Sequence, residues 1–215
     1  MTSFGERLVE ANQPVWAAMA AHPFVLALAG GTLPEAPLRA WLQQDRLFVL
    51  EERRAVAALR AHGLPAELDR LLAGLEGSMV AEAEAFAEEA ERHGFAAEAE
   101  PWPVCLGYTS YLLCAARDGL LEGLTAVYAA ERAYLDTWTA VAARSPAGSP
   151  YRGWIDNWSG EGFRGFVAEL GGQLDGLAGS PSPAVAGRLG AVFRRAALFE
   201  LAFWEMCWSG QAWPG

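Results

Sequence analysis

Residues 66–92 read AELDRLLAGLEGSMVAEAEAFAEEAER, and this stretch decides the fold class. Its large apolar side chains recur at spacings of three, four and seven residues, at Leu68, Leu71, Leu72, Leu75, Met79 and Phe86. Residues at these spacings share one face of an α-helix. The many glutamates between them predict a solvent-exposed acidic face on the opposite side. The stretch therefore predicts one long amphipathic helix.

The same periodicity continues in both directions, and no strand-like alternation interrupts it. Before residue 66 we expect a first helix over about 4–21, restarted at Pro14, and a short second helix that ends at about residue 29. A long third helix is expected over about 34–62. After residue 92 we expect helices over about 101–118, 120–143 and 184–208, with one or two between 151 and 177. The connecting loops are too short to be domain linkers. The sequence predicts an all-α protein with a single helical domain over residues 1–215.

Charge excludes several classes of function. The chain of 215 residues has 16 basic and 26 acidic side chains, which gives a net charge of −10. All 16 basic residues are arginine, so a Schiff-base lysine and a P-loop lysine are excluded. The negative charge repels phosphate groups, and we therefore expect neither nucleic acid nor a membrane surface as a partner. No apolar run is long enough for a membrane span, so we expect a cytoplasmic protein.

Composition also predicts association of subunits. Hydrophobic residues make up 53% of the chain and charged residues 20%, below the roughly 25% usual for a soluble domain. Much apolar surface must be buried within the fold or between subunits. Together with the tryptophan-rich C-terminus, this predicts a homodimer or homotetramer.

Cysteine and histidine spacings predict no metal site. The three cysteines are an odd number without a zinc or disulfide pattern, and we expect reduced core thiols at Cys105, Cys114 and Cys207. His22 is best explained as a helix cap or a packed residue. Glu89 and His93 come near a di-iron spacing but belong to the acidic outer face. We expect neither a metal nor a cofactor.

Three acidic residues interrupt apolar helix faces. Apolar or aromatic side chains occupy the positions three and four residues away from each of Asp45, Glu131 and Glu200. Burial of an unpaired carboxylate destabilises the folded protein by roughly several kcal/mol, because the charge loses its hydration. Otherwise the group takes up a proton and becomes neutral. Three of them predict a polar cavity where three helices meet, lined in part by tyrosines.

An arginine partner is the alternative explanation for each carboxylate. Arg46, Arg132 and Arg195 lie close enough in sequence for that role. Buried carboxylates are often structural for this reason, so the residue pattern by itself leaves both explanations open.

Two motifs carry a resemblance to a known family. Residues 22–34 read HPFVLALAGGTLP and residues 41–45 read WLQQD. With them the chain resembles the TenA (thiaminase II) family, whose members share HPF, a G-T-L-P turn and a Q-D pair at this spacing. The resemblance continues through the Tyr108 segment and through Glu200-x-x-Phe203 in the last helix. It implies a haem-oxygenase-like helical bundle without haem, and a pocket for the aminopyrimidine half of thiamin or its breakdown products.

The resemblance also implies roles for individual residues. Asp45 matches an aspartate that contacts the pyrimidine amino group and ring nitrogen, and Glu200 matches the acid of the last helix. Tyr108 and Phe203 match a pocket tyrosine and a pocket aromatic residue. We expect Tyr128 to join them in binding substrate.

The chain departs from the main branch of the family at three positions. Val127 stands where that branch has its nucleophilic cysteine, so the chain is identified as a member of the cysteine-lacking branch, in which a glutamate is thought to take over. Glu131 is the natural candidate for that glutamate. Phe48 and Trp158 stand where family members have pocket tyrosines, and we expect both to contact substrate.

The function implied is a thiamin-salvage hydrolase that cleaves the exocyclic C–N bond of 4-amino-5-aminomethyl-2-methylpyrimidine, or a close relative, to the hydroxymethylpyrimidine. Glu200, Asp45 and Glu131 are the expected catalytic residues. One alternative is a non-catalytic protein that binds aminopyrimidine or regulates transcription. Another is an oxygenase related to haem oxygenase, with which only the bundle would be shared.

Overall fold

A computed structural model describes residues 2–214 and leaves residues 1 and 215 outside it. Within that range all regular elements are helices and none is a strand. The helices are α1 (Phe4–Glu10), α2 (Gln13–Ala20), α3 (Pro23–Ala29), α4 (Glu35–Arg60), α5 (Ala66–Arg92), α6 (Pro103–Asp118), α7 (Leu120–Ala142), α8 (Arg152–Ser159), α9 (Glu161–Ala178) and α10 (Pro183–Ser209). The predicted all-α class is confirmed.

Proline and glycine set most of the helix boundaries. Pro14 lies in the first turn of α2, where its missing N–H costs nothing, and the predicted first helix divides there. His22 caps α3 as predicted, because its Nδ1 accepts a hydrogen bond from the Phe24 backbone N–H at 3.2 Å. The region 151–177 forms two helices that turn at Gly160, where a Cβ would collide with the carbonyl oxygen of Asp156.

Helices α4 and α7 form the centre of the bundle. Helix α4 packs against α5 and α6, while α7 packs against α6, α8, α9 and α10. The buried apolar residues of these helices belong to one core cluster. Since α4 and α7 carry Asp45 and Glu131, this arrangement turns both residues toward the interior of the bundle.

An aromatic cluster joins four helices at one end of that interior. The Trp41 ring lies 5.5–6.2 Å, centroid to centroid, from four other rings, those of Phe86, Trp138, Trp154 and Trp158. These residues come from α4, α5, α7 and α8. Aromatic pairs at such distances stabilise the fold by more than the burial of their apolar surface alone, so the cluster holds these helices together at that end.

The cysteines differ in exposure. All three are free thiols, and Cys105 and Cys207 are buried as predicted. Cys114 is exposed, so the prediction of a core residue is wrong there. It lies about 200° around α6 from the buried residues Leu112 and Ala116, and therefore on the outer face.

None of the helices within residues 2–214 has the length and apolar composition that a membrane span requires.

Candidate active site

A cavity of about 1200 Å³ opens between α5 and the α8–α9 pair and reaches inward to α4, α7 and α10. Its wall contains Asp45, Glu131 and Glu200, so the packing brings the three predicted carboxylates to one place. Each of the three is at least nine-tenths buried. The three carboxylates that interrupt apolar helix faces therefore line one cavity.

Asp45 is held in a fixed orientation by two short hydrogen bonds. Its Oδ2 accepts one from Trp41 Nε1 and one from the Tyr134 hydroxyl, both at 2.6 Å. Burial raises the pKa of Asp45 to about 7, although both hydrogen bonds act to lower it. No group within residues 2–214 donates to Oδ1. That oxygen is available to a ligand.

Glu200 lies beside the Tyr108 hydroxyl, which donates to its Oε2 at 3.2 Å. Burial, followed by the charge of Asp45, raises the pKa of Glu200 to about 8. The Phe48 ring packs against Tyr108 at 4.8 Å and edge-on against Phe203 at 5.8 Å. Aromatic surface therefore surrounds this carboxylate.

Glu131 faces the cavity without an arginine. Burial raises its pKa to about 8. The neighbouring Arg132 turns outward and pairs with Glu6 at 2.6 Å and with Asp136 at 2.8 Å. In the part of the chain that the structure describes, no arginine forms an ion pair with Asp45, Glu131 or Glu200. The explanation by arginine partners is therefore not supported.

The structure adds Glu52, which sequence reasoning missed. It lies two turns after Asp45 on α4, is 3% exposed, and lines the same cavity. Burial and then the charges of nearby carboxylates, Glu131 first, raise the pKa of Glu52 well above its ordinary value. The residues three and four positions away are all apolar, namely Phe48, Val49, Ala55 and Val56. The criterion that selected the three predicted carboxylates would also have selected this one.

Glu82 corrects the prediction of a fully solvent-exposed acidic face on α5. This residue is half-buried and lines the cavity, with Met79 and Phe86 three and four positions away. Burial, with the charges of Asp45 and Glu131, raises the pKa of Glu82 to about 8. The acidic face of α5 is therefore solvated only in part.

Tyr128, a predicted substrate-binding residue on α7, lies outside the cavity wall. Tyr128 and Tyr134 lie about 60° to either side of Glu131 around the helix, and Tyr134 is the one that lines the cavity. Tyr128 instead packs against Gly5 and Gly171, and its hydroxyl accepts a hydrogen bond from Arg132 at 3.3 Å. We therefore do not retain Tyr128 among the proposed substrate-binding residues.

Val127, the expected position of the family's nucleophile, is fully buried and absent from the wall. The cavity begins one turn later on α7, at Ala130 and Glu131. Trp158 does line it, with a ring centroid 5.1 Å from that of Tyr134. Neither buried thiol contributes to the wall, and burial raises the pKa of Cys105 to about 12.

The lining of the cavity is largely acidic and aromatic. Within residues 2–214 no three Asp, Glu, His or Cys side chains are placed to hold a metal ion. The inner wall combines carboxylates with aromatic rings, and the arginines of the wall, Arg70 and Arg92, are exposed at its mouth. Such an interior stabilises a flat ring that bears amino groups.

Comparison with known proteins places this geometry in context. The TENA/THI-4/PQQC family matches residues 10–210. An aminopyrimidine aminohydrolase from Halalkalibacterium halodurans is 28% identical over 220 residues, which cover 98% of each chain. A TenA homologue from Pyrococcus furiosus superposes with a TM-score of 0.89 at 30% identity, over 95% of this chain and 99% of that one.

A more distant structure confirms the predicted fold type. It is a domain of unknown function with a haem-oxygenase-like fold from Shewanella denitrificans, which is 13% identical and superposes with a TM-score of 0.71. The superposition covers 95% of this chain and 92% of that domain. At this identity the likeness concerns the fold alone.

Proposed function

Because the chain belongs to the TENA/THI-4/PQQC family, we propose that it is a hydrolase that cleaves the exocyclic C–N bond of an aminopyrimidine. The substrate class is 4-amino-5-aminomethyl-2-methylpyrimidine or a close relative, and the products are the hydroxymethylpyrimidine and ammonia. The observation that carries the proposal is the cavity lined by Asp45, Glu131 and Glu200, none of which forms an ion pair with an arginine among residues 2–214. Perturbed carboxylates in a cavity are typical of acid–base chemistry.

Recognition of the ring is assigned to Asp45 and the aromatic wall. The free Oδ1 of Asp45 accepts a hydrogen bond from the ring's amino group, while Trp41 and Tyr134 hold Oδ2 in place. The rings of Phe48, Tyr108, Trp158 and Phe203 supply faces and edges for a planar heterocycle. These contacts fix the aminomethyl group relative to the acids.

The reaction needs one acid and one base. A water oxygen bonds to the methylene carbon and gives a proton to ionised Glu131, while the C–N bond breaks and its electron pair stays on nitrogen. Protonated Glu200 gives that nitrogen a proton, so ammonia leaves. With the pKa of both groups raised to about 8, the charge of one favours protonation of the other, and the pair retains a proton near neutrality.

Mass spectrometry of purified protein with a panel of aminopyrimidines, including thiamin, tests this function. We expect conversion of the aminomethylpyrimidine to the hydroxymethyl product, with release of ammonia. Tight binding of a panel member without any product would favour the non-catalytic alternative. If no member is bound or converted, the proposed function fails.

We also propose that the protein is a cytoplasmic homodimer or homotetramer. Large apolar side chains are exposed on α6 and α10, where Leu106 is 43% and Leu198 is 42% exposed. Exposed apolar surface of this kind favours association. The three free thiols suit a reducing compartment.

A further inference from the structure

Glu52 has no part in the reaction described above, yet its carboxylate lies in the cavity wall. The residue is 3% exposed, and its Oε1 is fully buried without any hydrogen-bond partner among residues 2–214. A buried carboxylate oxygen without a donor is costly, so such groups normally have a partner. The partner expected here is a molecule that enters the cavity.

Among residues 2–214 no group donates a hydrogen bond to Glu52 Oε1, and no arginine forms an ion pair with this residue. Apart from Arg70, Glu89, Arg92, Asp156 and Glu161 on α5, α8 and α9, the titratable groups that line the same cavity are Glu82 on α5, Tyr108 on α6, Glu131 and Tyr134 on α7, and Glu200 on α10, with Asp45 on α4 itself. Four of these are acids. The two tyrosine hydroxyls are already engaged, that of Tyr108 with Glu200 and that of Tyr134 with Asp45.

We propose that Glu52 is the counter-ion for the substrate's aminomethyl group, which donates a hydrogen bond to its carboxylate as an ammonium. This inference rests on the proposed function and adds to it a residue that selects substrate by charge. Glu200 supplies the proton to the nitrogen, and the resulting ammonium favours the ionised form of Glu52, whose negative charge keeps that proton on the nitrogen until the C–N bond breaks. Glu52 is thus a positioning and specificity residue, whereas Glu131 acts on the water.

Charge selection has a consequence for related ligands. A hydroxymethyl group offers Glu52 a hydroxyl donor without a charge, and hydrogen bonds between neutral and charged groups are weaker than those between two ions. A phosphate ester would bring negative charge toward a wall of carboxylates. The cavity therefore binds the aminomethylpyrimidine more tightly than the hydroxymethyl product, and a phosphate ester of that product least.

The test measures two ligands against three proteins. The ligands are 4-amino-5-aminomethyl-2-methylpyrimidine and its hydroxymethyl counterpart, and the proteins are the wild type, Glu52→Gln and the control Glu161→Gln. Glu161 is an exposed carboxylate at the cavity mouth, so its substitution removes the same charge away from the inner wall. Binding is followed by rapid-mixing tryptophan fluorescence before turnover, since Trp154 and Trp158 line the cavity.

For Glu52→Gln we expect the Kd of the aminomethyl ligand to rise about tenfold or more, and that of the hydroxymethyl ligand by less than about threefold. Glu161→Gln should change both Kd values by less than about twofold. The ratio of the two Kd values is the readout because a partly misfolded preparation lowers the signal amplitude without changing that ratio. Glu52→Asp, which keeps the charge, should retain more of the wild-type ratio than Glu52→Gln does.

Equal weakening of both ligands in Glu52→Gln would overturn this inference and leave the proposed function intact, provided the wild type still forms product. If the wild type binds neither ligand, the proposed function and this inference fail together.

Discussion

Substitution of Asp45 by asparagine separates a binding role from a structural one. The amide has nearly the same shape, and its oxygen can still accept from Trp41 Nε1 and the Tyr134 hydroxyl, which now bond to Oδ2 at 2.6 Å. The NH₂ group then takes the place of Oδ1. Asp45→Asn therefore keeps the internal hydrogen bonds but presents a donor where the ligand's amino group needs an acceptor.

The expected loss of affinity follows from that exchange. A hydrogen bond to a charged group is worth about 1.5–3 kcal/mol, which corresponds to roughly 10- to 150-fold in Kd. Calorimetry with the hydroxymethylpyrimidine, which is not turned over, measures this change for Asp45→Asn against the wild type.

The same substitution should stabilise the folded protein at high pH. Folding raises the pKa of Asp45 from 3.8 to about 7, mainly through burial. A group whose pKa is raised on folding contributes stability that is complete below 3.8 and is lost as the pH rises to about 7. The loss amounts to about 4 kcal/mol for a change of this size. Asparagine does not titrate, so the advantage of Asp45→Asn should grow by about 2.5 kcal/mol between pH 5 and pH 8, since part of the loss is already complete at pH 5.

Denaturant unfolding at these two pH values measures the free energies. Unchanged affinity of Asp45→Asn for the pyrimidine would refute the assignment of Asp45 as a ligand contact. A stability difference that is the same at both pH values would refute the argument from burial.

Other predictions concern the acids, the thiols and the assembly. The wild type should show a bell-shaped pH dependence of kcat/KM for aminopyrimidine hydrolysis, and Glu131→Gln or Glu200→Gln should each remove one limb and most of the rate, about 10²-fold or more. Alanine at Cys105, Cys114 or Cys207 should leave turnover largely intact, and alkylation of the exposed Cys114 should not inactivate the enzyme; inactivation that tracks one thiol, with full activity of Glu131→Gln, would contradict the glutamate mechanism. Light scattering at micromolar concentration should show a dimer or tetramer, and a monomer would remove the proposed assembly.

The helices could be predicted from the sequence because their boundaries depend on residues at or near the helix ends. Helix α5 occupies the predicted residues 66–92, and α7 ends one residue before the predicted boundary. Proline at the start of α2 acts through its own backbone geometry. Glycine at the turn between α8 and α9 is required by the carbonyl oxygen of Asp156, four residues earlier, so this signal is also local. What local sequence left undecided was whether residues 151–177 form one helix or two.

The residues of the cavity wall were harder to predict from the sequence, because they depend on which helices pack against each other. Glu52 lies in the run Glu51-Glu52-Arg53-Arg54, which has the charge of a solvent face although its neighbours one turn away are apolar. Tyr128 belongs to a face of α7 that α1 and α9 cover, and nothing within α7 itself distinguishes that face from the one bearing Tyr134. For Tyr128 the distinction comes from tertiary packing alone, whereas the apolar neighbours of Glu52 one turn away were a usable signal in the sequence.

The carboxylates of the inner cavity wall come from four different helices and from none of the loops. Asp45 and Glu52 belong to α4, and Glu82, Glu131 and Glu200 belong to α5, α7 and α10. Enzymes whose site lies on loops can acquire new specificities by exchanging or lengthening a segment. Here an insertion within a helix would shift the register of its whole apolar face. Divergence of substrate range in this scaffold must therefore proceed by single side-chain replacements on a fixed backbone.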